Sequence, residues 1–204
     1  MTITRRGLLA GGAAAGVLTA LPGKVFASPM PFQPRIDPRL KARALLALAA
    51  RRSKIPHADV MGIADFSRPS RDPRFYILDL NGGMVTEHLV AHGRGSDPGH
   101  SGWLEYFSNA VGSEATSNGA YLTGEAYFGK YGHSLKLFGL DHTKSNAETR
   151  AIVVHSAWYA EPQMVNAHGK LGRSEGCFAL PGISHAEAMT RLGSGRLLYA
   201  ERAA

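Results

Sequence analysis

Two short apolar runs, each joined to a chemically active side chain, constrain this chain more than any other feature. The first reads Ile152-Val153-Val154-His155-Ser156-Ala157-Trp158-Tyr159. The second follows a polar connection and reads Gly172-Arg173-Ser174-Glu175-Gly176-Cys177-Phe178-Ala179-Leu180-Pro181. Short apolar runs bounded by glycine, proline and polar residues read as buried strands. The expected fold therefore ends one strand on a histidine and opens another on the only cysteine of the chain.

A thiol and an imidazole are the minimum parts for thiolate chemistry. A free thiol, with a pKa of about 8.5, is mostly protonated at neutral pH, and a neighbouring imidazole can take its proton. Gly176 allows a tight turn, and the amides of Gly176 and Cys177 can face a developing oxyanion. The competing reading makes Cys177 a small buried apolar residue and His155 a structural histidine. A cysteine directly after a polar glycine turn, with a histidine at the end of a neighbouring run, favours chemistry over packing.

His155-Ser156 followed by Ser174-Glu175-Gly176-Cys177 resembles the signature of the YkuD-type murein L,D-transpeptidases: a histidine, a spacer, then Ser/Thr-x-Gly-Cys. The segments Gly93-Arg94-Gly95-Ser96, Phe107-Ser108-Asn109, Tyr121-Leu122-Thr123-Gly124-Glu125, Gly129-Lys130-Tyr131-Gly132-His133-Ser134-Leu135 and Gly139-Leu140-Asp141 resemble a divergent branch of that family. The likeness spans roughly residues 57–200. Two departures stand out: Glu175 occupies a position that is histidine in many members, and the 22-residue step from His155 to Cys177 is slightly long.

The resemblance implies a mainly β fold with short helices, a mixed β-sandwich or barrel in a single domain. It also implies acyl transfer between peptidoglycan stem peptides through a Cys177 thioester, forming 3-3 or 1-3 cross-links. Catalysis would fall to Cys177, His155, Ser156 (through its main-chain carbonyl) and Gly176. Tyr131 and His133 would line the substrate groove, a plain hairpin turn being the alternative. Ser174 joins them as a substrate-side residue. Arg173 is a forked donor suited to a stem-peptide carboxylate, or else an ordinary surface arginine. Two rival functions remain: an L,D-carboxypeptidase or endopeptidase, if water resolves the thioester, and a non-catalytic wall-binding module with an inert thiol.

The amino terminus reads as export machinery. Thr4-Arg5-Arg6-Gly7-Leu8-Leu9 is a twin-arginine start, an apolar run continues to Leu21, and Val25-Phe26-Ala27 offers a cleavage site after Ala27. The 14-residue apolar stretch falls short of the roughly 20 residues a membrane span needs. Residues 1–27 are thus expected to be a signal peptide, 28–36 a proline-rich linker, 37–56 a helical segment and 57–204 the catalytic domain of a periplasmic protein. Removing the signal takes away Arg5, Arg6 and Lys24 and leaves a net charge of +4. That mild charge suits a protein near an anionic wall and equally an ordinary surface. No nucleic-acid motif is present. A lone cysteine cannot form an internal disulfide in an oxidising compartment, which favours a reactive role.

Along the chain, Asp37-Pro38 reads as the start of a helix to about Arg52, with Leu40, Leu45 and Leu48 on one side. Strands are expected over Val60–Phe66, Arg74–Leu80 and Met84–Ala91, with Asn81-Gly82-Gly83 as a hairpin turn. His92 to Gly102 forms a glycine-rich stretch, either one wall of the groove or a flexible surface loop; it lacks a phosphate-binding GKS/T element. Further strands are expected over Gly119–Gly129, kinked at Thr123-Gly124, over Ser134–Phe138 and over Gly195–Glu201. Short helical turns are expected at Ser145–Thr149 and Pro162–His168. Ser184-His185-Ala186-Glu187 reads as a capping box opening a helix to Leu192. Nine histidines raise the question of a metal. No HExxH and no second cysteine accompany them, so no cofactor or metal is expected; Cys177, His155 and His168 would be the most credible zinc ligands.

Overall fold

The computed structural model describes residues 36–141 and 145–203; the predicted signal peptide and nearly all of the linker lie outside the described residues. Eight strands form one sheet: β1 (Val60–Asp65), β2 (Phe75–Asp79), β3 (Val85–His88), β4 (Gly119–Gly129), β5 (Gly132–Gly139), β6 (Val153–Ser156), β7 (Phe178–Leu180) and β8 (Leu197–Glu201). Their order is β3-β2-β1-β8-β4-β5-β6-β7. The two ends of this order nearly meet. Ala91, just beyond β3, bridges Ala179 in β7, and Gly93 bridges Ser174. The sheet is thus barrel-like and almost closed, which removes most of the exposed edge that an open sheet must protect.

Period-two alternation distributes the side chains. Ile77, Leu135, Leu137, Val154, Phe178, Leu180 and Leu198 point into the main core, together with Ala188 and Leu192 from the carboxyl-terminal helical segment. Met61, Ile63, Tyr76, Leu78 and Leu197 point the other way. They are covered by α1 (Pro38–Ala50), which contributes Leu40, Ala44 and Leu48. Strands buried on both faces explain why the sequence shows apolar runs there rather than strict alternation.

α1 begins as expected: the Asp37 carboxylate accepts from the amides of Arg39 and Leu40, with Pro38 in the first turn. Its buried face differs from the expected one. Leu45 stays largely exposed, because the inward positions recur at Leu40, Ala44, Ala47 and Leu48, and a residue five after Leu40 points well off that stripe. The strand expectations for β1, β2, β3 and β8 hold to within a few residues. β4 carries a register shift between Thr123 and Ala126, as the Thr123-Gly124 kink predicted. β4 and β5 join through a two-residue turn, Lys130-Tyr131.

α2 (Pro162–His168) ends on Gly169 in the left-handed conformation. α3 runs Gly182–Arg191 and corrects the capping-box expectation: it starts two residues before Ser184, after Pro181, with no side-chain cap at that position. Glu161, one residue before α2, supplies what the sequence-local cap would have, accepting from the Gly182 amide at 2.8 Å. No helix among the described residues is long and apolar enough to cross a membrane.

Candidate active site

β6 and β7 lie side by side and parallel, with His155 opposite Ala179 and Val154 opposite Phe178. Cys177 precedes Ala179 by two residues. Strand alternation therefore places the thiol and the imidazole on the same face, opposite the core-facing Val154, Phe178 and Leu180. The polar connection between the two runs is the crossover that parallel pairing requires, and it contains α2.

His155 is 2% exposed. Its Nδ1 lies 2.9 Å from the Ser156 carbonyl oxygen. A carbonyl only accepts, so Nδ1 carries the proton and Nε2 keeps its lone pair. Nε2 is buried and without a hydrogen-bond partner. Burial pushes the imidazole pKa below its ordinary value, and the Ser156 carbonyl partly offsets this. The site thus holds a neutral histidine with an unoccupied basic nitrogen.

The thiol is also neutral at rest. Burial raises the Cys177 pKa; the Val153 amide, facing the sulfur, offsets part of the rise. Among charged neighbours Glu175 raises it, while Arg150 and Lys130 lower it. Sγ points to the Ala151 carbonyl at 3.6 Å, a contact within the sulfur range. Burial thus works against the charged form of both the thiol and the imidazole.

The turn before Cys177 is fixed from within. Ser174 Oγ donates to the Cys177 carbonyl at 2.7 Å and accepts from the Gly176 amide at 3.1 Å. The Gly176 amide is therefore engaged by Ser174, whose hydroxyl holds the turn. Gly176 has φ +112, and a Cβ there would lie 2.7 Å from the Ala115 carbonyl oxygen. Only glycine fits both demands.

The glycine-rich stretch is a packed support rather than a flexible loop. His92 O accepts from the Ser174 amide at 2.9 Å, and Ser174 O accepts from the Arg94 amide at 2.7 Å. A Cβ on Gly93 would meet Glu114 O at 2.3 Å and Gly176 Cα at 2.8 Å, so this glycine is where the two backbones cross. Beneath it, fully buried Arg74 donates to Val90 O and Arg68 O and reaches His92 Nδ1 at 2.7 Å. His92 Nε2 faces Asp97 Oδ2 at 3.3 Å. Burial, followed by the Arg74 charge, pulls the His92 pKa down to about 3, so His92 is neutral and accepts from Arg74.

Tyr131, at the tip of the β4–β5 turn, stacks on His155 with ring centroids 4.6 Å apart and an interplanar angle of 21°. Its hydroxyl bonds Glu175 Oε2 at 2.9 Å. The hairpin turn and the groove role are thus compatible. A chamber of about 160 Å³ is lined by Arg94, Lys130, Tyr131, His155, Tyr159, Arg173, Ser174 and Glu175. A wider depression of about 510 Å³ shares Tyr131, His155 and Tyr159 and extends past Trp158 and Glu161. Arg173 lines the chamber while donating to the carbonyls of Asp97 and Pro98. His133 lines neither space; it stacks on the exposed Phe128 ring, with centroids 4.8 Å apart.

Of the residues expected from the sequence, Cys177, His155, Ser156, Gly176, Ser174, Arg173 and Tyr131 come together, and His133 stands off. Arg150, Tyr159, Glu175 as a partner of Tyr131, and the Arg74–His92–Asp97 network were not anticipated. Arg150 bonds Ser108 O at 2.8 Å and the Ala115 carbonyl, bracing the segment beside Gly176. No group of three or more His, Cys, Asp or Glu side chains among the described residues is placed to hold a metal ion, so Cys177, His155 and His168 do not form a ligand set.

This combination, a barrel-like sheet with a Ser-x-Gly-Cys turn one strand from a carbonyl-anchored histidine, goes with a family match over residues 33–200 to the L,D-transpeptidase catalytic domain, YkuD_2. The chain belongs to that family. Comparison with curated proteins found no significant match. Among solved structures, an L,D-transpeptidase from Mycobacterium smegmatis aligns at 15% identity over 70% of this chain and 58% of that one, with a TM-score of 0.43. An L,D-transpeptidase from Mycobacterium tuberculosis H37Rv aligns at 14% identity over 71% and 58%, with a TM-score of 0.45. The helical cell shape determining protein Pgp2 from Campylobacter jejuni aligns at 12% identity over 79% and 56%, with a TM-score of 0.43. These are distant likenesses, and the chain spans less than two thirds of the length of each.

Proposed function

We propose that this protein is a peptidoglycan L,D-transpeptidase that works through a Cys177 thioester. Family membership supports the reaction class. The observation that carries the mechanism is the unpartnered Nε2 of His155, held as a base by the Ser156 carbonyl on the face it shares with the Cys177 thiol.

In the first half-reaction His155 Nε2 takes the thiol proton as sulfur attacks an L-centre carbonyl of a donor stem peptide. The tetrahedral oxyanion is met by the Cys177 amide, since the Gly176 amide is bound to Ser174. Collapse breaks the C–N bond; the leaving amine takes the proton from Nε2–H, and a thioester remains. In the second half-reaction the amine of an acceptor stem attacks, His155 removes its proton, and collapse returns that proton to sulfur. A backbone carbonyl orients the imidazole where other triads use a carboxylate. Burial works against charge on both groups, which supports proton transfer in step with attack.

Arg173, which lines the chamber, is the proposed partner of a stem-peptide carboxylate. The substrates we propose are muropeptide stems, joined as 3-3 or 1-3 cross-links. Peptidoglycan lies outside the cytoplasm, so the site of action is extracytoplasmic; the twin-arginine start at Thr4–Leu9 is the proposed route to the periplasm.

Purified monomeric muropeptides incubated with the protein, and with Cys177→Ala, test this by mass spectrometry. Cross-linked dimers that vanish in the variant are expected, and fragmentation identifies the joined residues. Shortened stems without dimers would replace transferase with hydrolase. No Cys177-dependent change would remove the enzymatic reading and favour a wall-binding module.

A further inference from the structure

A thioester enzyme that uses an amine must keep water from taking the acyl group first. The chain has to supply that selectivity near His155, because the same base activates either nucleophile. The Tyr131 ring stacks on this base, with ring centroids 4.6 Å apart. Its hydroxyl is held by Glu175 Oε2 at 2.9 Å. Glu175 lies two residues before the nucleophile, so this single hydrogen bond joins the tip of the β4–β5 hairpin to the nucleophile turn across the site.

Glu175 is a hub for further contacts. Lys130 Nζ lies 3.8 Å from its Oε2, and Arg94 Nη2 lies 3.6 Å from its Oε1. Lys130 also sits over the Tyr131 ring, 5.0 Å from the centroid. Two cations from two different segments thus flank one carboxylate, Arg94 being itself bonded to Glu114, and that carboxylate accepts from the phenol stacked on the base. These residues line the 160 Å³ chamber beside His155, space for only a few small groups.

We propose that the Tyr131–Glu175 contact is a specificity clamp that sets the partition of the acyl-enzyme between amine and water. This rests on the transpeptidase reading above and adds to it. With the clamp formed, the imidazole keeps one fixed orientation under an aromatic cover, and water reaches Nε2 only along the path an acceptor would use. Glu175 and Tyr131 move no proton and form no bond to substrate in this role; they position the base and its cover. The contact joins side chains that are partly open to solvent, so it can open to admit a stem peptide and re-form behind it.

The experiment measures, for Tyr131→Phe, Glu175→Ala and the double variant, the Cys177 acyl-enzyme by intact-protein mass spectrometry and the ratio of hydrolysed stems to cross-linked dimers. Tyr131→Phe keeps the stacked ring and removes only the hydroxyl. Each single variant should raise the ratio about three- to tenfold, the range expected for one lost hydrogen bond between partly exposed groups. The double variant should match the singles, because both break the same contact.

An acyl-enzyme that forms normally with an unchanged ratio in both singles overturns the clamp and leaves the transpeptidase reading standing. A ratio raised by Glu175→Ala but not by Tyr131→Phe also overturns it, since the carboxylate would then be guiding the amine directly. Additive effects in the double variant count against it for the same reason. Absence of any Cys177 adduct in the unsubstituted protein sinks the transpeptidase reading and the clamp together.

Discussion

The turn that carries Cys177 is tied to the rest of the chain in two contrasting ways. Arg74 lies under the glycine-rich stretch and meets His92 of that stretch, which in turn faces Asp97; each of the three is at most 1% exposed, and these contacts join buried groups to one another and to backbone carbonyls. Tyr131, Lys130, Arg94 and Glu175 meet on the opposite, open side, where Arg94 and Glu175 keep about half of their side-chain surface in solvent. Both sets hold the turn that carries Cys177. The buried set cannot change its arrangement without leaving charges unpaired in the core, whereas the exposed set can trade each contact for water at little cost. One fixes where the thiol stands; the other, under the proposed function, is suited to letting substrate in.

The strongest way to break that contrast is Arg74→Met. The substitution keeps a long apolar side chain but strands the Val90 and Arg68 carbonyls, His92 Nδ1 and, through it, Asp97. Removing one partner of a buried charged network costs about 3–5 kcal/mol. Urea denaturation should show a loss of that size at neutral pH. A loss below about 1 kcal/mol, within the range for a surface ion pair, would mean that the buried network is not a fixed support.

The pH dependence of stability comes next. His92 has a folded pKa of about 3 against an ordinary value of 6.5, so between those values the unfolded chain binds more protons than the folded one. Stability should therefore fall as pH drops from about 6.5 toward 3, and the His92 contribution is fully present only above that window. The expected loss is on the order of 2–4 kcal/mol, measured as the difference between the unsubstituted protein and His92→Gln in denaturation series at pH 7 and pH 4.5. Parallel pH series for the two proteins would show that His92 takes up its proton without unfolding, contrary to a closed network.

Gly176→Ala tests the junction of the two regions. The new Cβ would stand 2.7 Å from Ala115 O and near the Arg150 guanidinium, at φ +112. A side chain held in that backbone region costs about 1–3 kcal/mol. The thermal midpoint should fall accordingly, and alkylation of Cys177 by a small thiol reagent should change rate, because the turn carrying the thiol has to shift. Unchanged stability and reactivity would mean that Gly93, not Gly176, carries the close approach.

Much of this architecture was legible in the chain. The apolar runs at Val153–Ser156 and Phe178–Leu180 are short because both strands are buried, and burial on both faces removes the alternation that would have shown their orientation. The Thr123-Gly124 kink and the Gly169 stop were readable because glycine marks backbone that other residues avoid. The start of α3 was misread for a physical reason: its first amide is met by Glu161, distant in sequence, so Ser184 and Glu187 form a motif with no cap to make. Leu45 was grouped with Leu40 and Leu48 by residue type rather than by helical angle. In the site, His155, Cys177 and their flanking residues follow a known signature. Arg74, His92, Asp97 and Arg150 are single polar residues scattered over nearly eighty positions, and only the closing of the sheet through Ala91 and Ala179 brings them under the turn. Likewise no local pattern pairs Tyr131 with Glu175, 44 residues apart.

The smallest expected effect sharpens the comparison from the exposed side. Arg94 bonds Glu114 through Nε at 2.5 Å and through Nη2, and reaches Glu175 at 3.6 Å, with all three side chains about half exposed. Exposed pairs of this kind lose in side-chain entropy and hydration most of what they gain in Coulomb attraction. Arg94→Ala should therefore change stability by no more than about 0.5 kcal/mol, and moderate salt should erase the difference, because screening acts most strongly on charges in contact with solvent. Arg74→Met, by contrast, should keep its full deficit in the same salt, since its partners lie where ions do not reach. Paired urea titrations of both variants at low and high salt make the distinction directly. A large, salt-insensitive loss in Arg94→Ala would place the exposed contacts in the same rigid unit as the buried network, and the turn would then have one kind of support instead of two.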